Sequence, residues 1–146
     1  MDNQLFRQTI AIGLNQFGSI IEPRLHDGLL TRIDLISDKQ AELSIRDEDG
    51  VRFELSLRGL VWLKAADFRE GNTILDVILH RGQIRDIGLL EEVLDLTPEE
   101  VKKHPAFFDD LLNRVRSGNL TLVELTPSYG CYLLALCQEV VAYRIS

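Results

Sequence analysis

Chemistry in this sequence would have to come from three histidines, two cysteines and one loop of ionisable side chains. His26 falls in a His-Asp-Gly turn, His80 closes an apolar run, and His104 stands before Pro105. None has a second His, a Cys or a paired carboxylate at the spacing a metal site needs, so no metal is expected. Cys131 and Cys137 lack a C-x-x-C pattern and sit among apolar neighbours. They read as reduced, buried thiols, because six residues of extended strand hold them ~20 Å apart, too far for a disulfide within that strand. No Gly-rich loop ends in Lys-Ser or Lys-Thr, and no G-x-S-x-G elbow is present. Neither phosphate cradling nor a hydrolase nucleophile is therefore indicated, and no cofactor is expected.

The most singular polar stretch is Asp67-Phe68-Arg69-Glu70-Gly71-Asn72, between two apolar runs. A solvated loop held by a sheet is a common place for function, so Asp67, Phe68, Glu70 and Asn72 are loop candidates. The plainer reading is a turn, with Gly71-Asn72 supplying its conformation and Phe68 anchoring it. Asp76 alternates with Leu75 and Val77 and is expected at the surface or beside an arginine.

Elements that could position these groups are legible from periodicity. Ala41, Leu43 and Ile45 alternate with polar residues, as do Val51, Phe53, Leu55 and Leu57. Asp47-Glu48-Asp49-Gly50 joins the two runs, so a half-buried β-hairpin is expected. Leu29 to Ile36 reads as a strand before it, and Leu60 to Ala66 and Thr73 to Leu79 as strands after it. Leu60-Val61-Trp62-Leu63 is apolar on both faces, which predicts cover from a second layer. Gly88 to Leu96 suggests a short helix. Thr97-Pro98-Glu99-Glu100 has the form of a capping box with proline at the first helical position. A further helix from Pro105 carries Phe107, Phe108, Leu111, Leu112 and Val115 as one stripe, with Gly118 to end it. Leu120 to Leu125 reads as a strand turned by Thr126-Pro127-Ser128. Cys131 to Ile145 reads as a long strand with a bulge or break at Gln138-Glu139. Asp2 to Phe17 is ambiguous: its apolar residues fit one helical face, yet Gly13 and β-branched residues oppose helix.

The sum predicts one α+β domain. It is a curved, mainly antiparallel sheet of about seven strands, with a helical excursion over about residues 88–117 packed on one face. Sixteen basic residues against 23 acidic ones give a net charge of −7 and a pI near 4.9. That excludes a general nucleic-acid binder and a lipid-headgroup docking surface, both of which need a basic face. No run is long and apolar enough for a transmembrane segment, and Arg7, Gln8, Asn15 and Gln16 interrupt the first apolar stretch. Without a signal peptide pattern, the expected location is cytoplasmic.

The span Leu60 to Ile78, an apolar strand, a D-F-R-E-G-N turn and an I-L-D-V-I strand, resembles small uncharacterised bacterial β-rich proteins. Some of those are described as binding lipid or another protein. The resemblance implies a bacterial cytosolic binding module and supplies no site residues.

The leading expectation is a non-enzymatic binding domain. A sheet under a helical cover can hold an apolar small molecule such as a lipid. Phe53, Leu55, Trp62, Leu75, Val77, Phe107, Phe108 and Leu111 would line that space. The alternative is a protein-interaction or assembly module, a homo-oligomer included, pairing through a sheet edge or the Phe107/Phe108 stripe. The third is an enzyme with Asp67, Glu70 or His80 in a cleft.

Overall fold

Strict alternation makes the central hairpin. In the computed structural model, which describes residues 6–146, Ala41, Leu43, Ile45, Phe53, Leu55 and Leu57 all point into one core. Among the described residues, eleven strands and three helices follow in chain order. β1 (Arg7–Ile10), β2 (Gly13–Leu14) and β3 (Ile20–Glu22) precede the meander β4 (Leu29–Ser37), β5 (Gln40–Arg46) and β6 (Arg52–Arg58). β7 (Trp62–Ala66) and β8 (Asn72–His80) lead to helices α1 (Gly88–Val93), α2 (Pro98–Lys103) and α3 (Pro105–Arg116). β9 (Thr121–Tyr129), β10 (Tyr132–Cys137) and β11 (Glu139–Ile145) complete the chain.

Nine strands form one antiparallel sheet in the order β1-β11-β6-β5-β4-β8-β9-β10-β7, and β2 and β3 form a separate hairpin. The sheet closes on itself. β6 runs into β7 and β10 into β11, while Arg58 pairs with Glu139 and Trp62 with Leu136. These two ladders are therefore one bent ribbon. Its corner is Gly59–Val61 against Gln138, whose N–H donates to the Arg58 carbonyl at 2.9 Å. Gly59 has φ of +63°, and a Cβ there would stand 2.5 Å from the Gln138 side chain, so glycine avoids both backbone strain and a shift of Gln138. On the far side, β4 meets β8 only at Leu29↔Thr73 and Leu30↔Asn72. The result is a split barrel.

The barrel is filled by Leu30, Leu43, Leu55, Leu57, Ile74, Val77, Leu125, Leu133 and their neighbours. A second core lies outside the barrel wall. Leu122, Leu134 and Leu136 point outward from β9 and β10 and pack under Leu90, Val93, Phe108, Leu111, Leu112 and Val115 of the helices. The helical excursion thus covers one part of the outer face, as expected. The capping box is present: the Thr97 hydroxyl accepts from the Glu100 N–H at 3.2 Å, and the Glu100 carboxylate accepts from the Thr97 N–H.

Several expectations are corrected. The sheet has nine strands, not about seven. The long C-terminal run breaks at Gln138 into two strands, as expected, while Arg7–Ile10 adds an edge strand paired with β11. In the ambiguous N-terminal stretch Arg7–Ile10 and Gly13–Leu14 are therefore strands and Gln16 and Phe17 a turn, while Asp2 and Leu5 lie outside the described residues. Thr126-Pro127-Ser128 does not turn the chain, because β9 continues to Tyr129. Pro127 is tolerated inside it because the β8–β9 register shifts opposite, between Ile74 and Asp76. The same irregularity breaks the alternation in β8. Ile74 and Val77 both face the core and Leu75 is exposed.

Candidate functional site

The eight residues expected to line one cavity are divided by the sheet itself. Phe53, Leu55 and Val77 belong to the barrel core. Phe108 and Leu111 belong to the helix-covered core on the opposite side of the wall. Trp62, Leu75 and Phe107 are at the surface. The eight thus fall into three separate groups, and at the surface the Trp62 and Phe107 rings meet edge to face, with centroids 6.3 Å apart. Among the described residues β7 ends the sheet order with β10 as its one neighbour, and Trp62 stays 41% exposed beside Phe107 of α3.

The loop candidates separate in the same way. Asn72 is buried and fully used. Its Oδ1 accepts from the N–H groups of Arg69 at 2.7 Å and Cys131 at 3.1 Å. Its Nδ2 donates to the carbonyls of Arg69 at 2.6 Å and Leu30 at 3.1 Å. Asn72 is thus a bolt joining the loop, β4 and the start of β10. Gly130 makes room for it: a Cβ there would stand 2.5 Å from Asn72 Oδ1, and φ is +88°. Asp67 and Arg69 form a loose surface pair at 3.9 Å. Phe68 is half exposed and lines an open hollow of about 540 Å³ with Thr31, Arg46, Arg69 and Glu70.

His80 lies at the other end of β8, ~26 Å from the loop at the usual rise of extended chain. Asp67, Glu70 and His80 therefore share no cleft. His80 instead has a partner that sequence reading missed. It is 4% exposed, and its Nε2 lies 3.0 Å from Oε1 of Glu124, itself 8% exposed. Tyr132 donates its hydroxyl to Glu124 Oε2 at 3.1 Å. These three come from β8, β9 and β10 and occupy the outward face, at the margin of the second core. The bond from His80 holds the Glu124 carboxyl below the usual carboxylate range, and the Tyr132 bond adds to this against the opposing effect of burial. Burial, with the neighbouring Glu124 charge, pushes the Tyr132 phenol up. An adjoining hollow of about 500 Å³ is lined by Gln16, Phe17, His80, Gln83, Ile84 and Arg85. The trio can hold a proton between imidazole and carboxylate. It has no hydrogen bond to a serine, threonine or cysteine among the described residues, so it lacks the nucleophile of a triad. The clue in the sequence was Glu124, a lone acid inside the apolar run Leu120 to Leu125.

A carboxylate pair lies on the uncovered side of the barrel. Glu42 of β5 accepts from Arg7 Nη2 at 3.2 Å, Glu54 Oε2 of β6 lies 3.2 Å from the same nitrogen as an ion pair without hydrogen-bond geometry, and the Arg7 guanidinium lies 4.0 Å from the Tyr143 ring centroid. Burial and the Glu42 charge push the Glu54 carboxyl up despite Arg7. Arg7 so clamps β1 across the barrel wall. Cys131 and Cys137 are buried and unpaired with each other, and burial pushes the Cys137 thiol up to about 12. Among the described residues no group of three His, Cys, Asp or Glu side chains gathers where a metal could bind, and no helix is long and apolar enough to cross a membrane. Comparison with protein families, with curated proteins and with solved structures returns no match.

Proposed function

We propose that this chain is a non-enzymatic binding domain whose partner is another protein, engaged where β7 meets α3. The observation that supports this reading is the Trp62–Phe107 pair. Trp62 is 41% exposed on an open sheet edge, and Phe107 is 46% exposed on the helix beside it. An unpaired edge offers main-chain donors and acceptors to an extended segment, and alternate side chains of that segment can rest on adjacent aromatic rings. Tryptophan is among the residues that most often dominate such interfaces. An apolar ligand held between sheet and helices would need space there, and both faces of β9 and β10 are packed with side chains. The interaction reading therefore has the better support. A cytoplasmic setting belongs to the same proposal, supported by two free, buried thiols.

The test is selection of a random-peptide display library on the wild-type protein. Extended peptides with apolar residues at alternate positions should be enriched. Their affinity should fall about thirtyfold or more on Trp62→Ala or Phe107→Ala, as expected for loss of a dominant contact. Enriched peptides that bind the variants as tightly as wild type would sink the proposal, as would a selection that yields no binder.

A further inference from the structure

A different edge carries an independent inference. β8 pairs with β4 only as far as Leu30, and among the described residues no strand pairs with Thr31–Ser37 on that side. β5 holds the other side of this stretch. Leu35 and Ile36, adjacent in sequence, are both more than half exposed. The outer part of β4 is therefore an arm with one unsatisfied edge, a template for another strand.

The order of residues along that edge selects the strand. Arg32 and Asp34 are two apart, share the outward face with their partners Ser44 and Glu42, and already touch along the strand at 2.5 Å. We propose that a second copy of this chain adds its own β4 antiparallel to the first, about a twofold axis at Ile33. Such an axis makes the interface self-complementary. A pairing centred on Arg32 would oppose two guanidiniums, and one centred on Asp34 would oppose two carboxylates. Centring on Ile33 sets Arg32 of each copy opposite Asp34 of the other, twice, with Ile33 facing Ile33. Because Leu30 is already paired with Asn72 and β4 is irregular at Thr31, the ladder is built on Arg32 to Asp34 of each chain. The acidic surface does not oppose this contact, since each strand segment brings one positive and one negative side chain to it.

Charge exchange tests the register. Sedimentation velocity over about 1 to 300 µM should show wild type passing from monomer to dimer, the range expected of a small interface. Arg32→Asp and Asp34→Arg should each weaken the dimer about tenfold or more, since both symmetric pairs turn from attraction to repulsion. An equimolar mixture of the two variants restores complementarity and should dimerise like wild type, as should the double exchange in one chain. Both side chains are at the surface, so thermal unfolding should remain near wild type. A wild type monomeric throughout the range overturns the proposal. So do single variants that dimerise unchanged, or a mixture that stays monomeric. Trp62→Ala should dimerise normally, which separates this edge from the β7 corner.

Discussion

The outer faces of β8–β10 and of β4–β6 belong to the same barrel and follow opposite rules. On β9 and β10 the outward residues include Leu122, Leu134 and Leu136, and three helices cover them. On β4–β6 the outward residues include Arg32, Asp34, Glu42, Ser44 and Glu54, and the helices lie elsewhere. The inward residues of the two regions are alike, dominated by aliphatic side chains in one shared core. Placement of the helical layer is thus decided by the second face of each strand. Where both faces are apolar the wall needs cover, and where one is polar water suffices. The glutamates repeat the contrast. Glu124, under the edge of the cover, is held ionised by hydrogen bonds from His80 and Tyr132. Glu54, on the side without helices, is pushed toward its neutral form by partial burial and the adjacent Glu42.

The largest effect should come from removing cover contacts. Leu134→Ala should cost about 3 kcal/mol in urea unfolding, the usual range for a fully buried leucine. Ser44→Ala on the open face should stay within about 0.5 kcal/mol. Equal losses would end the distinction between the two faces. Next comes Glu124→Gln, which leaves His80 and Tyr132 beside a neutral amide and should cost about 1–3 kcal/mol. The pH dependence fixes its sign. A carboxyl with a lowered folded-state value contributes stability above its ordinary value and loses it as pH falls through the folded value. The gap between wild type and Glu124→Gln should therefore narrow on acidification, and a gap independent of pH would show that the charge is not the source.

Thr97→Ala removes the capping box of α2 and should cost about 1 kcal/mol. If global unfolding is unchanged and only amide exchange in α2 rises, the cover is a separate cooperative unit. The smallest effect is Glu54→Gln. A raised value means the ionised form is penalised in the fold at neutral pH, so this change should be neutral or stabilising by a few tenths of a kcal/mol. Its sign, opposite to that of Glu124→Gln, is checked in the same urea titrations.

Local pattern accounts for what the sequence made legible. The β5–β6 hairpin follows from alternation and Gly50, α2 from its capping box, and α3 from its stripe and from Gly118 at φ +84°. What escaped depends on partners far along the chain. β1 is short and mostly polar, and only its ladder with β11 makes it a strand. The corner at Gly59 and Gln138 reads as a turn in one place and a break in another, and neither alone reveals that they face each other. Pro127 marks a turn in most contexts, but here a shift in the opposite strand accommodates it. Of the candidate site, His80 was visible by type. Its partner Glu124 is 44 residues away, and nothing local joins them. Asn72 looked like a functional loop residue because its four hydrogen bonds are invisible until Leu30 and Cys131 arrive beside it.

The bent ribbon also governs the timetable of folding. Residues 131–145 leave the ribosome after every strand they join, and they bind β9 and β7 on one arm and β6 and β1 on the other. Until they emerge, the ladders that join β6 and β7 to β9 around the wall cannot form. Pairing Arg7 with Ile145 spans nearly the whole chain. Closure over such separations is slow, so the nascent chain carries its exposed edges longest at the step where they are most prone to stick.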